Sequence, residues 1–207
     1  SFELNYQGED FIIDSGTYCY TSNYQDRNRF RSTRAHNTVM IDGAEQDVFW
    51  KDPFFIEQKA QLKVIEISEN DKEAIITLSH NGYQRVSPPI VHQRKFSFDK
   101  TTKNLIIADS FESEGKHCLE WNFHLAPEIK LWLREQSEDS KFRDLILLGK
   151  KNKLVLTAPF CLDCAIIDDE VSPSYGVKVP AKTIRFSGFF LPAQANSFLF
   201  KIQPIKT

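Results

Sequence analysis

The sequence lacks the features that mark several special classes of protein. Only four of its 207 residues are cysteine, which is too few for a disulfide-dense scaffold. Its 26 lysine and arginine residues nearly balance 28 aspartate and glutamate residues, so bulk charge indicates neither nucleic acid nor an anionic membrane as a partner. No apolar run approaches the roughly 20 residues of a membrane helix. We therefore expect neither nucleic-acid binding nor membrane insertion.

The composition that is present favours β-structure. Aromatic residues make up 13% of the chain and 17 of them are phenylalanine, which is typical of strands. Apolar residues alternate with polar ones, or form short runs between turn-forming residues. The predicted strands are Ser1–Tyr6, Phe11–Ile13, Thr38–Ile41, Ala60–Val64, Ala74–Leu78, Ile90–Phe98, Leu105–Phe111, Cys118–Leu125, Leu145–Leu148, Leu154–Thr157, Cys164–Ile167, Thr183–Phe189 and Ser197–Ile202.

No segment keeps the apolar spacing of an amphipathic helix over three turns. Many short strands without helical crossovers predict an all-β fold, an antiparallel β-sandwich of two or more packed sheets. No linker interrupts the pattern, so we predict one domain over residues 1–207. Since Met40 is the only methionine and the chain opens within a strand pattern, we expect a piece of a longer protein.

Residues 14–47 carry the strongest indications of chemistry. Asp14 ends an apolar strand, Gly16 permits a sharp turn after it, and His36 stands just before the next strand. A carboxylate and an imidazole at strand ends can meet as metal ligands, and zinc accepts both donor types. They can also form an orienting hydrogen-bonded pair. The simplest alternative makes Asp14 a turn cap and His36 a structural strand-end residue.

Four arginines fall between these two residues: Arg27, Arg29, Arg31 and Arg34. Arginine binds carboxylate or sulfate through two parallel hydrogen bonds, so such a cluster suits an acidic polymer. The alternative is that these side chains are solvated.

Cys161 and Cys164 have the spacing of a redox or zinc pair, but no second pair accompanies them. We expect a structural role, with a turn-bridging disulfide if the protein is exported.

An ordered block of residues resembles the heparinase II/III-like C-terminal region. The resemblance rests on three runs within the first 47 residues, and weaker similarity continues through Gly82-Tyr83, His92-Gln93-Arg94, Ile107-Ala108-Asp109 and Ser174-Tyr175-Gly176. The three runs are Phe11-Ile12-Ile13-Asp14-Ser15-Gly16-Thr17-Tyr18, Phe30-Arg31-Ser32-Thr33 and Arg34-Ala35-His36-Asn37-Thr38-Val39-Met40-Ile41-Asp42-Gly43-Ala44-Glu45-Gln46.

This resemblance implies part of a polysaccharide lyase. Members of the family pair an N-terminal α/α toroid with C-terminal antiparallel sheets, and they cleave uronic-acid polysaccharides such as heparin, heparan sulfate and alginate by β-elimination. The toroid is absent from this sequence, so we expect the chain alone to be inactive. The family is bacterial and often exported, which implies a periplasmic or secreted protein.

The resemblance also implies roles for individual residues. Asp14 and His36 match metal ligands of zinc-containing members, whose third ligand would lie upstream of Ser1. A catalytic role for His36 through direct contact with substrate is an alternative. Arg31 and Arg34 lie in the matched block, so we predict that they bind the acidic polysaccharide, with Tyr18 as a further substrate contact.

Two other functions stay open at this point. A non-catalytic carbohydrate-binding module would bind polysaccharide without any upstream domain. A structural β-sandwich would instead pack against a catalytic partner and show an exposed apolar patch where that partner docks.

Overall fold

The computed structural model describes residues 1–134, 140–192 and 197–205. Strands make up 56% of the structure and helices 6%, which confirms the all-β antiparallel sandwich. None of the helices in these ranges is long and apolar enough to cross a membrane. The strands are β1 (Leu4–Tyr6), β2 (Glu9–Ile12), β3 (Val39–Ile41), β4 (Val48–Phe49), β5 (Ile56–Glu57), β6 (Leu62–Glu69), β7 (Glu73–His80), β8 (Val91–Asp99), β9 (Leu105–Glu112), β10 (His117–His124), β11 (Lys130–Leu133), β12 (Phe142–Leu148), β13 (Lys153–Pro159), β14 (Asp163–Ser174), β15 (Val177–Phe190) and β16 (Ser197–Pro204).

The contacts group the chain into two compact units. The single domain predicted over residues 1–207 stays a prediction. The first unit combines three separate stretches, and the second combines the remaining three. The first comprises Ser1–Lys59, Cys118–Ile129 and Asp163–Gly188; the second comprises Ala60–His117, Lys130–Leu162 and Phe189–Thr207.

The first unit is built on a four-stranded sheet of order β14-β15-β10-β3, with the hairpins β1-β2 and β4-β5. Strand β3 lies at the sheet edge and pairs with β10, where Val39 faces Trp121. The Trp121 side chain is fully buried, and Phe123 and Phe186 pack edge to face with their ring centroids 5.9 Å apart. Full burial of such a side chain contributes about 1.5–3 kcal/mol, so these rings fix the strands that flank the site.

The second unit is an eight-stranded antiparallel sheet of order β11-β12-β13-β16-β9-β8-β7-β6. Alternate residues of its central strands point into one apolar core, as the burial of Ile107, Phe111, Leu156 and Phe200 shows. This period of two is the pattern from which the strands were predicted.

A helix not predicted from the sequence, α1 (Tyr24–Arg31), lies in the first unit. It begins after Asn23, whose side-chain oxygen accepts the backbone N–H groups of Gln25 and Asp26 at 3.0 and 3.1 Å. Such a cap satisfies donors that the first helical turn leaves unpaired. Only Phe30 and Arg31 of the helix are buried, so it carries no apolar stripe for sequence analysis to detect.

All four cysteines are present as thiols. Cys161 lies in the turn between β13 and β14, and Cys164 is the second residue of β14.

Candidate functional site

The structure brings Asp14 and His36 together in the first unit. Asp14 follows β2, and Gly16 turns the chain with a φ of +81°. His36 ends the short 3-10 helix Thr33–Ala35 and stands three residues before β3. The Nδ1 atom of His36 lies 2.6 Å from Oδ2 of Asp14, and each side chain is 34% exposed. The pair is therefore a preformed contact that solvent reaches.

The surroundings keep Asp14 ionised. Partial burial by itself would raise the pKa of this carboxyl, but hydrogen bonds from the His36 ring and the Gly16 N–H outweigh it and lower the pKa. The Gly16 N–H donates to Oδ1 at 2.9 Å. An ionised carboxylate only accepts, so Nδ1–H of His36 donates to it, and in the neutral ring Nε2 then carries the lone pair with which the ring can meet a ligand.

The carboxylate and the imidazole of this pair are ligand types that zinc accepts. The distance between their atoms nevertheless assigns different roles to the two residues. Two ligand atoms of tetrahedral zinc, each about 2.0–2.1 Å from the metal, lie about 3.3 Å apart. At 2.6 Å the Asp14 and His36 atoms are hydrogen-bonded instead. This favours His36 Nε2 as the ligand and Asp14 as the carboxylate that orients the ring. Within the described ranges no group of three or more His, Cys, Asp or Glu residues is placed to hold a metal ion.

Asn37 fixes His36 in place and was not singled out from the sequence. Its side-chain nitrogen donates to the carbonyls of Phe2 and Ile13, both at 2.8 Å, and its side-chain oxygen accepts the backbone N–H of His124 at 2.8 Å. It is fully buried, so every one of these bonds is made without competition from water. The asparagine directly after the histidine was the signal in the sequence by which this support could have been found.

The segment before His36 is also held by side chains. The Nε2 of His124 lies 3.0 Å from the carbonyl oxygen of Arg34, so this ring nitrogen must donate. Glu45 accepts from the Ser32 hydroxyl at 2.7 Å and from the Thr33 N–H at 2.6 Å. The block that resembles the family thus contains its own supporting contacts.

Arg34 lines a cavity of about 260 Å³ within the first unit, together with Arg29 and Arg185. Its side chain is half exposed, and its Nε donates to Oε1 of Glu120 at 2.7 Å. The Nε of Arg185 lies 3.4 Å from the same oxygen. Arg34 is therefore accessible, as a substrate contact must be, but its charge is already paired.

Arg29 is paired in the same way. One terminal nitrogen lies 2.6 Å from Asp169 and the other lies 2.8 Å from Glu170. Burial alone would lower the pKa of Arg29, but the two carboxylates outweigh it and raise the pKa. Since acidic residues already pair with the three arginines of the cavity, an acidic ligand would share these guanidinium groups with Asp169, Glu170 and Glu120.

Arg31, which the sequence predicts to bind substrate, is buried, and its guanidinium binds backbone. Its Nε donates to the side-chain oxygen of Asn28 at 2.9 Å, and its two terminal nitrogens donate to four carbonyl oxygens. The acceptors, at 3.0 to 3.3 Å, are the carbonyls of Trp50, Asp52, Pro53 and Phe55. This geometry favours a structural role, which is to hold the loop between β4 and β5.

Tyr18, the other predicted substrate contact, has a left-handed backbone conformation with a φ of +61°. Its carbonyl accepts the Gly176 N–H at 2.7 Å, and its ring packs beside Phe30 with centroids 5.7 Å apart. The Lys178 ammonium stands 4.9 Å from the centre of the ring. The ring is half buried, so these packing contacts occupy part of its surface.

The comparisons with known proteins concern the family and the fold of the chain. A family model described as heparinase II/III-like, C-terminal, matches residues 1–196. The chain belongs to this family. No curated protein matches the chain.

Solved structures of two such lyases share the fold. The heparan sulfate lyase HepC from Pedobacter heparinus aligns with a TM-score of 0.75 and 18% identity, over 99% of this chain and 30% of that one. A heparinase III structure aligns with a TM-score of 0.74 and 16% identity, over 98% of this chain and 29% of that one. The chain thus spans about 30% of the length of the solved relatives it matches.

Proposed function

We propose that this chain is the C-terminal domain of a polysaccharide lyase that cleaves uronic-acid polysaccharides of the heparan sulfate or alginate type by β-elimination. The observation that carries the proposal is the contact between Asp14 and His36, which presents an oriented imidazole to solvent in a chain of this family. The complete active site would also need the N-terminal domain of the family, so the chain alone would not cleave substrate.

The reaction explains what the pair would do. Removing the proton from C5 of a uronate builds negative charge beside a carboxylate that is already charged. That carboxylate has to be neutralised by hydrogen-bond donors or positive charge before a base can act. With its Nδ1–H bonded to Asp14, the neutral imidazole of His36 would act through Nε2, either by binding a cation that supplies this positive charge or as the base. Because Asp14 fixes the ring, no reorganisation would be needed when the substrate arrives.

Asp14 and His36 would also hold a divalent cation such as zinc, with His36 contributing Nε2 and Asp14 orienting the ring. When bound, the cation would supply positive charge against the substrate carboxylate. Arg34, half exposed on the rim of its cavity, would contribute a guanidinium to the same acidic polymer.

The test uses a protein that carries this chain behind the N-terminal domain, incubated with heparan sulfate and, separately, with alginate. Ultraviolet absorbance follows the unsaturated product of elimination. We expect cleavage of one of the two polymers, a fall in kcat of about 100-fold or more for His36→Ala, and a fall of about 10–100-fold for Asp14→Asn.

A matched control is Asp168→Asn, because this carboxylate is exposed in the first unit and its ion pair within the described residues is with the exposed Lys182. Its activity should equal that of the wild type. Wild-type protein that forms no unsaturated product, or a His36→Ala variant with full activity, would contradict the proposal.

A further inference from the structure

Three aromatic rings from distant parts of the sequence form an exposed stack in the first unit. Tyr20 lies between α1 and the Gly16 turn, Phe54 lies in the loop between β4 and β5, and Tyr175 lies in the turn between β14 and β15. The Tyr20 ring is 5.6 Å from Phe54 and 6.0 Å from Tyr175, at interplanar angles of 18° and 19°. We call these three rings the aromatic platform.

The outer rings of the platform are open to solvent. Phe54 is 66% exposed and Tyr175 is 65% exposed, while Tyr20 is 40% exposed. Three nearly parallel rings side by side form one contiguous apolar surface, and such surfaces are typical of binding sites.

The structure nevertheless fixes the platform firmly. Buried Arg31 binds four carbonyls of the loop that presents Phe54, and Arg27 Nε adds a 2.9 Å bond to the carbonyl of Pro53. The Tyr175 turn is anchored through Gly176, whose N–H donates to the carbonyl of Tyr18 at 2.7 Å. The loop and the turn that carry Phe54 and Tyr175 are thus ordered without a ligand, so little conformational freedom would be lost on binding.

A positive charge stands beside the rings. The guanidinium carbon of Arg27 is 5.0 Å from the centre of the Tyr20 ring. Within the described part of the chain only its Nε has a hydrogen-bond acceptor, which leaves two terminal NH₂ groups for a carboxylate or sulfate. An apolar stack with one guanidinium at its side matches a ligand that alternates apolar ring faces with acidic groups.

We propose that the aromatic platform binds an acidic polysaccharide, with the rings stacking on the apolar faces of sugar rings and Arg27 pairing with a carboxylate or sulfate. The inference rests on the proposed function for the class of polymer. It adds a second point of contact, made by residues other than Asp14, His36 and Arg34.

The test measures binding of size-defined heparan sulfate oligosaccharides to the 207-residue chain by isothermal titration calorimetry, with neutral dextran as the comparison ligand. We expect Phe54→Ala and Tyr175→Ala each to weaken binding of the acidic probe about tenfold. Dextran should bind more weakly than the acidic probe. The variant Arg27→Gln should make the affinity less sensitive to salt.

The matched control is Phe160→Ala in the second unit. Phe160 is also an exposed phenylalanine beside an arginine, with the guanidinium carbon of Arg143 at 5.1 Å from its ring centre. Its loss should leave affinity unchanged. Since Phe54 is 66% exposed and Phe160 47% exposed, neither truncation should shift the unfolding midpoint enough to confuse the result.

Equal affinity of the wild type, Phe54→Ala and Tyr175→Ala would overturn the proposal, and so would a wild-type chain that binds no acidic probe or prefers dextran. These results are separate from those for the lyase. A protein that cleaves polysaccharide and depends on His36, yet binds equally well without the platform rings, would refute the platform alone.

Discussion

His92 donates a hydrogen bond to Asp109 across 2.6 Å in the core of the second unit, and both side chains are buried. Arg94 donates to both carboxylate oxygens at 2.7 Å. The Gly82 N–H donates to Nδ1 of His80, whose Nε2 lies 3.0 Å from Nδ1 of His92. These donors assign a neutral His92 with its proton on Nε2, so the cluster contains one ion pair and a neutral relay of two imidazoles.

Replacing Asp109 with asparagine should destabilise the protein strongly. Burial alone would raise the pKa of Asp109, but Arg94 and His92 outweigh it and hold the pKa far below its usual value. Without the carboxylate, the buried Arg94 guanidinium loses its ion pair with Asp109 and the charge-assisted bonds at 2.7 Å, which costs about 3–5 kcal/mol. Urea unfolding at pH 7 measures the loss. The control Asp144→Asn removes an ion pair with Arg134 but keeps an oxygen that can accept from the Thr157 hydroxyl, so it should cost about 1 kcal/mol. An equal cost for the two variants would contradict the prediction.

The same cluster should make stability fall in acid. Burial lowers the pKa of His92, so below about pH 6.5 the unfolded chain binds a proton that the folded chain does not. The folded-state pKa of Asp109 is also lowered, so its contribution is present above about pH 4 and is lost as the pH falls further. Urea unfolding between pH 8 and 4 should show stability rising with pH. The variant His92→Gln should flatten the slope above pH 5, and a slope unchanged by it would refute this assignment.

Replacing Arg31 with lysine should loosen the loop between β4 and β5 while leaving charge unchanged. One ammonium has three donors and cannot reach four carbonyls and Asn28. We expect a loss of about 2–3 kcal/mol. Hydrogen exchange of residues 50–55 should also become faster. Arg29→Lys, which changes an exposed salt bridge on the same helix, should cost less than about 1 kcal/mol. If residues 50–55 of Arg31→Lys stayed protected from hydrogen exchange, the role of Arg31 in holding this loop would be contradicted.

Gly16 should tolerate no side chain. A Cβ at this residue would lie 2.1 Å from the backbone oxygen of Ser172, and its φ of +81° is unfavourable for any other residue. We expect Gly16→Ala to lower the free energy of unfolding by about 3 kcal/mol or more. Gly43→Ala has a similar φ of +66° but nothing within 4 Å of the added carbon, so it should cost about 1 kcal/mol. Similar losses for the two variants, measured by thermal unfolding, would show that the close contact is not decisive.

Much of the fold could be predicted, because strand alternation and turn residues are local signals. The meeting of Asp14 and His36 could also be anticipated, since each ends or begins a strand of the block that resembles the family. Boundaries were less accurate: Thr183–Phe189 was predicted where β15 runs from Val177 to Phe190. The missed N-terminal part contains Pro180 and two lysines and is mostly not buried, so pairing with β14 rather than burial defines that part of the strand.

The roles of the arginines could not be predicted. An arginine that binds substrate and an arginine that binds backbone carbonyls look the same in a sequence. For Arg31 the role depends on a loop about 20 residues further along the chain, whose carbonyls it binds. The partners of Arg29 are about 140 residues away. The helix α1 was missed for a related reason, because a side-chain cap and a salt bridge stabilise it instead of an apolar face.

The pairing of β3 with β10, which lies far along the sequence, has a consequence for protein synthesis. A ribosome delivers His36 and the strand after it well before Leu119 to Trp121, the residues with which that strand pairs. Asp169 and Glu170, which pair with Arg29, are translated later still. The block that resembles the family therefore lacks these partners while the intervening β-structure is translated. A chain truncated before β14 would lack Asp169 and Glu170 permanently.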